Sequence, residues 1–183
     1  MSLSEESFRA LLDDRGILRD RRALDAPDAG QSFLVFAQAT DARIDAARWR
    51  DQAARFFSAK LGLTTEKRYG LARPPEVDAA RVVVAAEGAS GTRLVFGRPA
   101  DAEDVARAEA AEARAGGGGL GELAARCGQV WLVEAASATD RASLLVAAVL
   151  ASVCLGPIVS PDGAIFGVRS ARARLEQGAS GYR

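Results

Sequence analysis

Arg81-Val82-Val83-Val84-Ala85-Ala86-Glu87-Gly88-Ala89-Ser90-Gly91-Thr92-Arg93-Leu94-Val95-Phe96 is the stretch on which the fold turns. Two runs rich in β-branched and apolar residues, 81–86 and 92–96, flank a short segment that holds Gly88 and Gly91. Branched side chains are stiff at χ1 and pack well on a pleated surface, so both runs read as strands. Strands separated by a few glycine-containing residues form an antiparallel hairpin. A hairpin in mid-chain favours an antiparallel or mixed sheet over a purely parallel one.

Toward the C-terminus, Asp101 can cap a helix over Ala102–Ala115, which is rich in Ala, the best helix former. Gly116–Gly119 ends it, and 120–126 reads as a short further helix. Val130–Ala135 is a strand by composition. Thr139 or Asp140 caps the most apolar segment, Ala142–Leu155, which Gly156-Pro157 terminates. Ser160-Pro161-Asp162-Gly163 is the strongest turn signal in the chain and separates Ile158-Val159 from Ala164–Phe166. A last helix is expected over Val168–Gln177, with Gly178–Arg183 fraying.

Toward the N-terminus, Pro74-Pro75 breaks the chain. Asp41 is placed to cap a long helix running to about Gly62, with Trp49, Ala53, Phe56, Phe57, Lys60 and Leu61 on one side. Ser32–Ala37 reads as a well-buried strand, and Asp20–Gly30 as a connector. A short helix is expected over Leu3–Asp14, with Ser2 and Glu5 as a capping box and Leu3, Phe8, Leu11 and Leu12 on one face. The expectation is an α+β (or α/β) fold: a mixed or antiparallel sheet of four to six strands with three or four packed helices. Residues 1–30 form an N-terminal helix and connector, and 31–183 a single globular domain.

Composition narrows the function. The chain has 183 residues, 49% of them apolar and 26% charged, the balance of a soluble globular protein. Lys+Arg and Asp+Glu both number 24, so net charge recommends neither nucleic acid nor a membrane surface as partner. There is no His, which removes the commonest general base and metal ligand and every Ser-His or Cys-His nucleophile. No metal site and no cofactor are expected. The acidic opening MSLSEESFRALLDD lacks the basic and apolar regions of a signal peptide, and Ala142–Leu155 is shorter than the roughly 20 residues that span a bilayer. A cytoplasmic, reducing compartment is the expectation, with Cys127 and Cys154 as free structural thiols. The abundance of Ala and the near-replacement of Lys by Arg fit a GC-rich bacterial genome.

Three clusters invite chemistry. Gly116, Gly118 and Gly121 satisfy G-x-G-x-x-G, but a helix-forming stretch precedes them where a dinucleotide site needs a strand, so they read as a connector. Gly88–Arg93 reads as a turn beside a solvated arginine rather than an anion nest. Asp162 with Arg169 and Arg172 is the candidate anion site: the arginines, three apart, share a helical face and offer bidentate forks to a carboxylate or phosphate. Glu134 and Asp140 are the carboxylates best placed for acid-base work, though their spacing is not diagnostic.

The aromatic-and-arginine face of the 41–62 segment, with Trp49 and Phe56, and the N-terminal face with Phe8 and Leu12 fit protein contacts. The sequence therefore points to a non-catalytic bacterial protein acting through a protein partner or self-association, as a homodimer or as an accessory subunit. The alternative is a small-molecule binder or enzyme acting on an anionic ligand.

Overall fold

A computed structural model describes residues 26–39, 43–65 and 78–179. Residues before Ala26, including Phe8 and Leu12, lie outside the described residues, as do Asp41 and Pro74-Pro75. A seven-stranded sheet runs in the order β2-β3-β4-β5-β1-β6-β7, and every neighbouring pair is antiparallel. The strands are β1 (Ser32–Ala37), β2 (Lys60–Thr65), β3 (Asp78–Ala86), β4 (Ala89–Pro99), β5 (Gln129–Glu134), β6 (Ile158–Val159) and β7 (Ile165–Phe166). Five helices are described: α1 (Ala46–Phe57), α2 (Ala102–Ala115), α3 (Leu120–Arg126), α4 (Arg141–Cys154) and α5 (Val168–Ala179).

The alternation of side chains along each strand divides the core in two. Phe33, Val35, Trp131 and Val133 project to one face, where α1, α4 and α5 pack. Leu34, Phe36, Val130 and Leu132 project to the other, beneath α2 and α3. β1 and β5 are thus covered on both sides, which explains why Ser32–Ala37 reads as an unbroken run and is buried throughout. Helix α4 is the central helix of its layer, and all of its residues except Arg141 and Ser152 are buried. Trp49 of α1 meets Trp131 edge to face, with ring centroids 5.5 Å apart.

The hairpin is as expected, but tighter: Ala86 pairs with Ala89 across a two-residue turn, Glu87-Gly88, with Gly88 at φ +65°. Three expectations are corrected. The sheet has seven strands rather than four to six, and five helices are described rather than three or four. The segment expected to be helical to Gly62 ends at Phe57, because Ser58 turns left-handed at φ 50° and the chain re-emerges as β2. Asp45, whose carboxylate accepts from the Arg48 N–H at 3.0 Å, caps α1. In β2 Leu61 and Leu63 turn inward while Lys60, Gly62 and Thr64 stay exposed, a period of two that the preceding helical spacing obscures. Among the described residues no helix is long and apolar enough to cross a membrane.

Candidate functional site

Helix α4 ends with an unusual backbone. Leu155 takes the left-handed position at φ 55°, normally given to glycine, and its side chain is 68% exposed. The adjacent Gly156 is needed elsewhere: a Cβ there would run into the carbonyl oxygen of Phe36. The chain is pinned at this close approach, with Phe36 N–H donating to Pro157 O at 3.2 Å and Gln38 N–H to Cys154 O at 3.0 Å. The Gln38 side-chain amide donates to the Leu155 carbonyl. These contacts hold Leu155 out toward solvent.

Leu155 stands at the edge of a cleft of about 820 Å³. Gln52 and Phe56 of α1, Ala151 and Ser152 of α4, and Leu120 and Leu123 of α3 line it. The glycine loop 117–119, Ile165 of β7 and Gly167-Val168 at the start of α5 complete it. Phe56, 37% exposed, and Leu155 are two of the three large exposed apolar side chains among the described residues; the third, Val83, lies on β3. Among the described residues no charged side chain, and neither cysteine, lines the cleft. Of its polar groups, the Ser152 hydroxyl donates to Val149 O at 2.7 Å within α4, and Gln38 is engaged with Leu155. Among the described residues the surface offers apolar contact with a few amide groups and the Ser152 hydroxyl, which is turned back onto its own helix.

The glycine loop contributes shape. Gly116, Gly117, Gly118 and Gly119 all have positive φ, which L side chains adopt only with strain, and a Cβ on any of them would meet nothing within 4 Å. Backbone amides of the loop converge on an anion, as a dinucleotide reading would ask, but that anion is the chain's own Glu112. Its carboxylate accepts from Gly121 N–H at 2.8 Å and from Gly119 N–H at 2.5 Å, and these amides hold it below the usual carboxylate range. The G-x-G-x-x-G spacing serves to tie α2 to α3.

The carboxylates considered for chemistry are spent in the same way. Asp140 caps α4 through the N–H groups of Ala142 and Ser143 and accepts a fork from Arg93 at 3.0 and 2.8 Å. Burial works against its charge, yet Arg93 and the Ala136 and Ser143 amides hold its pKa at about 2. Glu134 accepts from the Leu94 N–H at 3.1 Å. On the opposite face Asp104, fully buried, binds Arg98 through both oxygens, at 2.5 and 2.9 Å. Burial disfavours the Arg98 cation, but Asp104 more than offsets it and raises its pKa above the ordinary value. Asp104 also completes a capping box with Asp101 at the start of α2.

Of the residues expected to hold an anion, Asp162 accepts from the Ser160 hydroxyl inside its own turn, which lowers its pKa, and its main-chain carbonyl takes the Arg114 guanidinium at 2.7 Å. Arg172 pairs with Glu176 at 2.8 Å, and Arg169 is exposed beside Val168. Among the described residues no hydrogen bond or ion pair joins Asp162 to either arginine. Of the residues expected at an interface, Trp49 is 1% exposed in the core and Phe56 opens on the cleft. The sequence reading missed Leu155, counting it with the buried run before it. The signal was there in Leu155-Gly156-Pro157, a helix end where the first glycine comes one residue late. Both thiols are buried; burial raises the Cys127 pKa and pushes Cys154 up to about 11. Among the described residues no three His, Cys, Asp or Glu side chains gather as a metal site.

Fold and site together define a three-layer α+β protein, an antiparallel sheet between two helical layers, with a mostly apolar cleft lined from both. Comparison with protein-family models, curated proteins and solved structures finds no match to this chain.

Proposed function

We propose that this is a non-catalytic binding protein that works through protein contacts in the bacterial cytoplasm, as a homodimer or as an accessory subunit, with the cleft as its docking surface. The observation that carries the reading is that Phe56 and Leu155, both exposed, line one cleft to which the described residues contribute no charged group. Covering an exposed Phe or Leu contributes on the order of 1–2 kcal/mol, so two lining one cleft suit a hot spot. The left-handed Leu155 supports the same reading, because backbone strain of about 1 kcal/mol here holds an apolar side chain in water rather than in the core. The acidic groups best placed for catalysis, Asp140 and Glu134, are committed to the helix cap and the sheet.

A small-molecule ligand is the second reading, favoured by a cleft volume within the roughly 300–1,000 Å³ of such sites. A ligand there would be apolar rather than the anion expected from the arginines. The test is a native mass spectrum of the protein purified gently from its own host, beside the Leu155→Asp variant. A mass at a multiple of 19.1 kDa, or one carrying a second polypeptide, that collapses to the bare chain in the variant supports docking. A monomer carrying a few hundred extra daltons supports the ligand. A bare monomer in both proteins speaks against either.

A further inference from the structure

The sheet is covered unequally on the face beneath α2 and α3. The core there takes in Leu34, Leu132 and Phe96 and reaches β3 only at Ala79. Further along the same face of β3, Arg81, Val83 and Ala85 are exposed, as are the β2 residues Thr64, Gly62 and Lys60 that pair with them. Val83, 51% exposed, stands at the centre of this flank. Gly62 beside it has an ordinary φ and room for a side chain, since a Cβ there would lie 3.7 Å from the Val83 Cβ. A mid-strand glycine that neither its backbone nor its neighbours require marks a place where another backbone approaches closely.

The described chain begins on this same face. Ala26 and Ala29 pack against the core beneath α2 and α3, and the Ser32 hydroxyl donates to Asp28 O at 2.7 Å. Ser32 also begins the row that borders the open flank: it pairs with Glu134, whose carboxylate takes the Leu94 N–H, while Leu94 pairs with Arg81 and Arg81 with Thr64. Size selects the occupant. Five residues on each of three strands span about 14 by 16 Å, on the order of 200 Å², whereas a standard protein–protein interface takes about 800 Å² from each partner. One amphipathic helix of three turns, about 18 Å long and 10 Å wide, is enough. The sequence expects such a helix over Leu3–Asp14, with Leu3, Phe8, Leu11 and Leu12 on one face. Residues 15–25 can extend over roughly 36 Å, more than the roughly 14 Å from β1 across to β3. We infer that Leu3–Asp14 docks on the open flank of its own chain, its apolar face on Val83, and completes the helical layer beside α2. The cleft, past the other end of β1 at Gln38, stays open for a partner.

The experiment measures maleimide labelling of the full-length chain with one added cysteine at a time, Val83→Cys or Leu155→Cys. Buried Cys127 and Cys154 report that the fold is intact by staying unlabelled. Each protein is compared with the same chain carrying Phe8→Asp and Leu12→Asp. The Val83→Cys thiol should label about tenfold faster once the apolar face of the segment is broken, while the Leu155→Cys thiol labels at one rate in both backgrounds. Should the double variant expose the native thiols, Phe8→Ala replaces it, with an acceleration of about threefold expected. Equal rates at Val83→Cys in the two backgrounds would overturn the inference. So would acceleration at Leu155→Cys instead, which would seat the segment in the cleft. Protection at Val83→Cys that fades as the protein is diluted from about 50 to about 0.5 µM would assign the cover to a second copy and overturn docking within one chain.

Discussion

Replacing Asp140 by Asn removes one negative charge from a site where five donors meet it: the Arg93 fork and the amides of Ala136, Ala142 and Ser143. The side chain is 6% exposed, so solvent screens the pair with Arg93 only weakly. Its folded pKa of about 2 lies below the ordinary 3.8. A depressed carboxylate pKa stabilises the fold above the unfolded value, and the contribution disappears as pH falls through the folded one. At pH 7 the shift corresponds to about 2 kcal/mol, nearly all of it remaining at pH 4 and about half at pH 3. Urea titrations of wild type and Asp140→Asn at pH 7, 4 and 3 isolate this contribution, since groups common to both proteins cancel in the difference. The expected gap is about 2 kcal/mol at pH 7, plus a constant for the altered cap, and it narrows by about 1 kcal/mol by pH 3. A gap that stays the same at all three pH values, or no gap at all, would refute the account of Asp140 as an ionised keystone.

Gly156→Ala should lower the melting temperature by about 10 °C, the effect of roughly 3 kcal/mol, because its methyl group meets the Phe36 carbonyl. Gly117→Ala, with open space around it, should cost only the left-handed backbone, about 1 kcal/mol or 3 °C, by the same calorimetry. Arg98→Met leaves Asp104 buried and unpaired and should destabilise by about 3–5 kcal/mol in chemical denaturation, while Arg98→Met with Asp104→Leu should recover most of the loss. With its thiol at about 11 and buried, Cys154 should resist a thiol reagent at pH 8 in the native protein and react promptly in urea, as should buried Cys127.

Local signals carried most of the fold. The glycines of 88–91 and Pro161-Asp162-Gly163 announced their turns because glycine at positive φ is what those turns need, and Thr139-Asp140 announced α4, where the Asp140 carboxylate meets the first free amides. β2 was hidden because Phe56, Phe57, Lys60 and Leu61 continue the helical spacing, and only the backbone at Ser58 ends it. The cleft was legible in part. Phe56 stood out as an aromatic beside arginines, but the residues facing it come from segments roughly 60 to 110 positions later, and no spacing rule connects them. The glycines near 116 drew notice as an anion loop; that their anion is Glu112 depends on how α2 and α3 pack.

The central claim, that the Phe56–Leu155 cleft docks a partner, is tested most directly by photo-crosslinking in the host cell. Benzoylphenylalanine is placed at position 155 in one protein and in another at position 83, the other well-exposed apolar site, 51% accessible. The account predicts a discrete adduct from position 155 that Phe56→Asp abolishes, and none from position 83. Equal adducts from both positions, or an adduct at 155 that survives Phe56→Asp, would contradict it.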